Sequence, residues 1–345
     1  MAEDVRIGVL GTGRIGAMHA ELIERQTAGA TVTAVFDVFA EGAQKVGADV
    51  GARVAGSAAE LIESDDVDAV AICTSTDTHI DLLVAAAEAG KAVFLEKPLS
   101  LDLEQVQRGV AAVEAAGVDV QVGFNRRFDP SHKAVADAVA AGQIGDIQML
   151  RITSRDPAPP PVSYIEVSGG IFLDMTIHDF DMARYVTGSE VVDVYARGAV
   201  MIDPEIGHAG DVDTAVIVMT HENGCITTID NSRQAVYGYD QRVEAFGSAG
   251  MVGSENPRVH STLTHTAEGT SQTTIPYFFI ERYTESYLQE WSDFVKMCRG
   301  EAPSPVNIHD GAAPLAIGLA AWRSVREARQ VAVAEILNEH TAGGA

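Results

Sequence analysis

Val5-Arg6-Ile7-Gly8-Val9-Leu10 runs directly into Gly11-Thr12-Gly13-Arg14-Ile15-Gly16, and a helical pattern follows to about Ala28. An apolar strand, a G-x-G-x-x-G turn and a helix are the parts of a dinucleotide-binding unit. Gly11 permits the tight turn, Gly13 lets backbone approach a pyrophosphate, and Gly16 lets the helix pack close to the strand. The helix start offers free N–H groups and a positive dipole end to phosphates. Gly11, Thr12, Gly13, Arg14 and Ile15 are therefore candidate cofactor contacts. The next β-rich run, Thr31–Phe36, ends in Asp37, 21 residues after Gly16, where a carboxylate reaches ribose hydroxyls. That carboxylate would repel a 2′-phosphate, and Val38 and Phe39 follow it with no Arg, which favours NAD over NADP. The competing reading, a glycine-rich turn beside a surface Asp, leaves the matched strand–turn–helix context unexplained.

Working outward, the same β-then-α order repeats. Helices are expected at Ala40–Ala48, at Ser57–Ile62 with Ser57 as N-cap, at Thr78–Ala89 closed by Gly90, and at Leu101–Ala116 closed by Gly117. Strands are expected at Ala69–Cys73, Ala92–Glu96 and Val118–Gly123. Such alternation predicts an α/β fold with a doubly wound parallel sheet over residues 1–123.

The pattern changes over residues 124–345. Helices at Ser131–Ala141 and Leu173–Val186 flank runs rich in Val, Ile and Thr: Ile147–Ser154, Val191–Met201, Val212–Thr220, Cys225–Arg233 and Arg242–Phe246. Asn223-Gly224 is a strong hairpin signal, and Pro157–Pro161 cannot be a strand interior. This half reads as an antiparallel sheet with helices on one face, followed by amphipathic helices at Tyr283–Arg299 and about Gly311–Arg329.

Composition narrows the functional classes. The 345 residues carry a formal charge of -25, from 24 Lys+Arg against 49 Asp+Glu. Nucleic acids and anionic lipid both call for clustered cations, so neither is an expected partner. Cys73, Cys225 and Cys298 are scattered, without the spacing of a zinc site or a disulfide framework. No basic-then-apolar leader and no apolar stretch of about 18 residues is visible. The expectation is a cytoplasmic protein without a metal.

Glu96-Lys97-Pro98 closes a strand of the parallel sheet, and ligands of such sheets lie beyond the carboxyl ends of the strands. Lys97 is thus placed toward the nicotinamide end of the cofactor. Further on, Asp174 and His178 stand i and i+4 on one predicted helix and share a face, with Asp181 three residues along it. Met175, Met182 and Val186 supply an apolar stripe. A carboxylate beside an imidazole stabilises the charged ring and orients it, which suits a general base. Spacing alone favours a solvated i,i+4 pair on a helix surface over a catalytic one.

Taken together, these motifs resemble the Gfo/Idh/MocA oxidoreductase family over nearly the whole chain. Gln121–Asp129, Ser154-Arg155-Asp156-Pro157, Gly169–Asp181 and Tyr237-Gly238-Tyr239-Asp240 are similar to its inositol 2-dehydrogenase branch. The resemblance implies an N-terminal Rossmann domain and a C-terminal α/β domain with an open, mostly antiparallel sheet that binds substrate and mediates oligomerisation. It implies Lys97, Asp174 and His178 as catalytic residues acting on a polyol, with NAD as cofactor. Thr74, Ser75, Thr76, His79, Glu96 and Lys97 would lie along the cofactor. Arg127, Asp156 and Tyr239 would join Lys97, Asp174 and His178 around the substrate. Ser154 stands where some inositol dehydrogenases have His. The implied product of myo-inositol is its 2-keto derivative, and the implied assembly is a homotetramer. Another cyclitol or sugar dehydrogenase, an NAD-using glycosidase and a non-catalytic dinucleotide sensor are the rival readings.

Overall fold

Leu10, Ile72 and Leu95 end three adjacent strands and are fully buried, because helices cover both faces of the sheet they belong to. The computed structural model describes residues 3–342, which fall into two compact units. The first comprises residues up to Asn125 together with Glu285–Leu315; the second comprises Arg126–Thr284 and the residues from Ala316 onward. The division is therefore not a single cut after residue 123, since a later segment returns to the first unit.

In chain order the first part holds β1 (Val5–Leu10), α1 (Arg14–Gln26), β2 (Ala30–Phe36), α2 (Ala40–Val50), β3 (Arg53–Val54), α3 (Ala58–Glu63), β4 (Ala69–Ile72), α4 (His79–Glu88), β5 (Ala92–Leu95), α5 (Leu103–Ala116) and β6 (Val120–Val122). The six strands are all parallel in the order β3-β2-β1-β4-β5-β6, the doubly wound arrangement expected. The strand order reverses between β1 and β4, and ligands of such sheets bind at that switch point. The local signals act as anticipated: Ser57 Oγ accepts the Glu60 N–H at 3.0 Å, and Gly117 closes α5 in the left-handed region.

The remaining elements are α6 (Pro130–Ala140), β7 (Ile147–Arg155), α7 (Val162–Ser168), α8 (Gly170–Asp174), α9 (Ile177–Thr187), β8 (Val191–Ala199), α10 (Pro204–His208), β9 (Thr214–His221), β10 (Ile226–Ser232), β11 (Asp240–Gly247), β12 (Gly250–Ser254), β13 (Leu263–Thr266), β14 (Gly269–Gln272), α11 (Phe279–Cys298), α12 (Ile308–Glu327), β15 (Val331–Ala332) and α13 (Val333–Ala342). Seven of these strands form an open sheet, β12-β11-β7-β10-β9-β8-β15. Every neighbouring pair is antiparallel except β7 with β10, so the sheet is mixed rather than purely antiparallel. Asn223-Gly224 makes the expected hairpin between β9 and β10. Along β9, burial alternates: Ala215, Ile217 and Met219 point to the helical side and are buried. Register places Tyr195, Val218, Val216, Ile226, Met149 and Phe246 on the opposite face, and all six are exposed.

One expected helix is interrupted. Leu173–Val186 is not continuous: α8 ends at Asp174, and α9 starts at Ile177. The Ile171 carbonyl accepts both the Met175 N–H at 3.0 Å and the Thr176 N–H at 2.8 Å, a wide turn. The buried Thr176 hydroxyl stabilises that turn by donating to Asn231 Oδ1 at 2.6 Å.

Candidate functional site

In the first unit, the glycine loop has three different steric reasons for its three glycines. Gly11 has φ +89°, and a Cβ there would lie 2.6 Å from the Cys73 carbonyl oxygen. A Cβ on Gly16 would lie 1.9 Å from the Gly11 oxygen. Gly13 has nothing within 4 Å of an added Cβ, so its backbone faces open space. Arg14 begins α1 and is exposed, with Ile15 half-buried behind it. Asp37 stands at the end of β2, where Oδ2 accepts the Thr12 N–H at 2.6 Å and Oδ1 accepts the Phe39 N–H at 2.9 Å. Open backbone at Gly13 beside a carboxylate fixed by Thr12 fits the pyrophosphate and ribose of a dinucleotide.

The Thr74–Thr76 segment follows β4 at the switch point. Thr78 Oγ1 lies 2.7 Å from Thr74 Oγ1, while Ser75 is exposed. His79 is buried beneath this loop, with Nδ1 2.8 Å from the Pro98 carbonyl and Nε2 3.1 Å from that of Thr74. Burial holds its pKa below the ordinary value, so the neutral ring has one N–H for the two carbonyls. His79 thus braces the loop against Pro98, whose peptide bond to Lys97 is cis.

Glu96 and Lys97 follow β5. Glu96 Oε1 lies 2.8 Å from His19 Nε2, and Glu96 Oε2 accepts the Lys97 N–H at 3.2 Å. Trp291 Nε1–H donates to His19 Nδ1 at 2.9 Å. Indole is a donor only, so His19 carries its proton on Nε2 and donates it to Glu96. His19 and Trp291 were invisible as site residues in the sequence, because 272 positions separate them.

In the second unit, the neighbours Arg126 and Arg127 go to different carboxylates. Arg126 Nη1 meets Asp179 Oδ1 at 2.5 Å, and Nη2 lies 3.4 Å from both Ser154 Oγ and Tyr239 OH. Arg127 forms a two-pronged pair with Asp181, at 2.9 Å from Nε to Oδ2 and 2.5 Å from Nη2 to Oδ1. Asp181 is buried in that pair and does not share the half-buried setting of Asp174 and His178, contrary to the single-helix expectation. Arg126, rather than Arg127, is the cation that joins Ser154, Tyr239 and Asp179. Asn231 Nδ2 completes the group by donating to Asp179 Oδ2 at 2.9 Å.

Asp174 is half-buried: Oδ1 accepts the Tyr164 hydroxyl at 2.9 Å, and Oδ2 lies 3.5 Å from Nη1 of the buried Arg233. Burial, and next the Asp174 charge, push Asp156 up to about 6, with Arg233 and Arg126 opposing. Burial also raises the Tyr239 phenol well above its ordinary value, so it remains a neutral donor. Carboxylates, guanidinium groups and a phenol gathered over α8, α9 and the ends of β7 and β10 can bind several hydroxyls.

Two family models match this chain: an oxidoreductase family with an NAD-binding Rossmann fold over residues 5–124, and the Gfo/Idh/MocA C-terminal domain over residues 132–253. The chain is 48% identical to myo-inositol 2-dehydrogenase of Thermotoga maritima, across 96% of this chain and 100% of that relative. The chain belongs to the Gfo/Idh/MocA oxidoreductase family. It is also 46% identical to inositol 2-dehydrogenase of Rhizobium meliloti, across 96% of this chain and 99% of the relative. Scyllo-inositol dehydrogenase from Lactobacillus casei, solved with bound NAD(H) and scyllo-inositol, has TM-score 0.90 and 29% identity, covering 96% of this chain and 100% of that one.

As a Gfo/Idh/MocA oxidoreductase, the chain carries its NAD-binding Rossmann fold in the first unit. No group of three or more His, Cys, Asp and Glu residues suited to a metal occurs among the described residues. No described helix is long and apolar enough to cross a membrane. The residues that sequence reading missed, Arg126, Tyr164, Asp179, Asp211, Asn231 and Arg233, come from five separate stretches. For Arg233 the sequence signal is a charged residue at the end of the apolar run Cys225–Arg233.

Proposed function

We propose that this protein is an NAD-dependent inositol 2-dehydrogenase that oxidises the C2 carbinol of myo-inositol to the ketone scyllo-inosose. The observation that carries the reading is the polar cluster of the second unit: Asp156, Asp174, Arg126 and Tyr239 gathered in one largely buried group with His178 nearby in sequence. A ring of hydroxyls needs several fixed polar partners, and a site built that way rejects analogues lacking one. The relatives named above support the same substrate class.

Gly11, Thr12, Gly13, Arg14 and Ile15 hold the pyrophosphate of the dinucleotide, Asp37 the adenosine ribose, and Thr74, Ser75 and Thr76 its flank. Bound NAD supplies the hydride acceptor, C4 of its nicotinamide. His178 takes the proton of the reacting hydroxyl. Asp174 stabilises the imidazolium so formed. Lys97 donates to the reacting oxygen and stabilises its developing negative charge. Asp156, Tyr239 and Arg127 bond the remaining hydroxyls, and Arg126, paired with Asp179, lies beside the Tyr239 hydroxyl.

Initial rates with NAD and NADP across a panel of inositols and pyranoses, read as absorbance at 340 nm, test the proposal. NAD with myo-inositol is the expected best pair. Preference for a pyranose would make the protein a sugar dehydrogenase. Glycoside cleavage without net NADH would make it a glycosidase, and binding without turnover a sensor.

The exposed apolar face of the seven-stranded sheet supports a homo-oligomer, which we infer to be a tetramer; light scattering after size exclusion measures it. The three cysteines are all free, which accords with a reducing cytoplasmic setting.

A further inference from the structure

Resting on the reading of Asp174 as the partner of the base His178, we propose that Arg233 is a positioning residue: its buried guanidinium, held by Asp211, fixes the Asp174 carboxylate and sets the charge balance of the base. Arg233 directly follows β10, its N–H donates to the Asp213 carbonyl at 2.8 Å, and its side chain is fully buried. Nη2 lies 3.2 Å from Asp211 Oδ2 and Nη1 lies 3.5 Å from Asp174 Oδ2. Asp211 is itself anchored, because Oδ1 accepts the Ile171 N–H at 2.9 Å. A Cβ on Gly170 would lie 2.7 Å from that same oxygen and 2.7 Å from Trp322 Cζ2, so the start of α8 is clamped between Asp211 and Trp322.

Asp211 therefore holds the first turn of α8, and Arg233 reaches from Asp211 to the last residue of the same turn. The two Asp174 oxygens are treated differently: Oδ2 faces the buried cation, while Oδ1 takes the hydroxyl of the exposed Tyr164. The other charged groups of the neighbourhood are Asp156 after β7, Arg126 before α6 and Asp179 in α9. Asp156, Asp174 and Asp211 place three carboxylates around Arg233, and a cation among them favours their ionised forms. Among the described residues, the buried Arg233 Nε–H has no acceptor. Lys cannot reproduce the arrangement, because a single ammonium lacks the planar fork that addresses two partners.

The experiment uses full-length protein with NAD and myo-inositol and measures kcat, KM and the acid limb of the kcat profile. Arg233→Met should lower kcat about 10- to 100-fold with KM for NAD unchanged. It should also move the acid limb up by about one pH unit, since losing a nearby cation raises the proton affinity of the base assembly about tenfold. Asp211→Asn keeps the acceptor for Ile171 but removes a negative charge, so its acid limb should move down. Arg233→Lys should fall between wild type and Arg233→Met. A purely structural role would lower activity without moving the limb. An unmoved limb, or shifts of one sign in both variants, overturns the proposal. If Arg233→Met does not fold, Asp211→Asn and Arg233→Lys decide by the same criteria. Asp174→Asn separates the underlying reading: if it keeps wild-type kcat, the assignment of Asp174 fails. If it loses activity while the Arg233 variants do not, only the role of Arg233 fails.

Discussion

Two glycines of one loop, three residues apart, should give opposite phenotypes when each is replaced by alanine. At Gly16 the new Cβ would sit 1.9 Å from the Gly11 oxygen, more than 1 Å inside the 3.0 Å below which real Cβ atoms are essentially never found. The obstacle is backbone, so α1 or the loop has to move. Overpacking of this kind costs about 1–3 kcal/mol. A unit of this size loses about 2–4 °C in Tm per kcal/mol, which gives a drop of roughly 2–12 °C. At Gly13 nothing lies within 4 Å of the added atom, and the backbone, at φ -63° and ψ -171°, is one that alanine adopts freely. Reduced freedom of the unfolded chain then leaves stability equal or raised by about 0.4–1 kcal/mol. The methyl group instead occupies the space through which a pyrophosphate approaches, so NAD affinity should fall at least about tenfold, or 1.4 kcal/mol. Differential scanning fluorimetry without ligand and NAD titration by calorimetry read the two effects separately. A Gly13→Ala protein that binds NAD like wild type would refute the placement of the pyrophosphate, and a Gly16→Ala protein of unchanged Tm would refute the steric argument.

Further outcomes follow from the second unit. His178→Ala should reduce kcat about 10²–10⁴-fold while leaving the Kd for NAD unchanged, as measured by steady-state rates and titration. Asp156 has its pKa raised to about 6, chiefly by burial and then by Asp174, against about 3.9 in an unfolded chain. Such a group favours the fold while protonated and disfavours it once ionised, so wild type loses stability as pH rises from about 4 through about 6. Asp156→Asn cannot ionise, so the ligand-free variant should gain stability relative to wild type across that window; equal urea midpoints at pH 4 and pH 7 would contradict this. Arg127→Met should cost about 3–5 kcal/mol by leaving Asp181 buried without its cation. The double variant Arg127→Met, Asp181→Leu should recover most of the loss, as urea unfolding would measure.

The nucleotide half was readable because its signals are local. The tight turn at Gly11, the close packing at Gly16 and the acidic end of β2 lie within a single βα unit, and the alternation of strands and helices fixes the parallel order. The α8–α9 break was not readable. It depends on Thr176 meeting Asn231, 55 positions away, and no local preference opposed a continuous helix. Strands β13 and β14 were missed for a different reason: every residue in them is exposed, so no apolar alternation marks them. Arg126 and Arg127 are chemically identical neighbours, and only the fold decides which carboxylate each one meets.

The sequence by itself determined the βα order and the cofactor loop, because spacing along a chain specifies local conformation; Lys97, Asp174 and His178 were candidates through the family resemblance. Tertiary structure alone decided the polar partners: His19 hydrogen-bonds Glu96 and Trp291, and the ion pairs are Arg126 with Asp179 and Arg233 with Asp211 and Asp174. A buried ion is stable only opposite a counter-charge, and the pairings span segments whose approach depends on the packed sheet rather than on neighbouring residues.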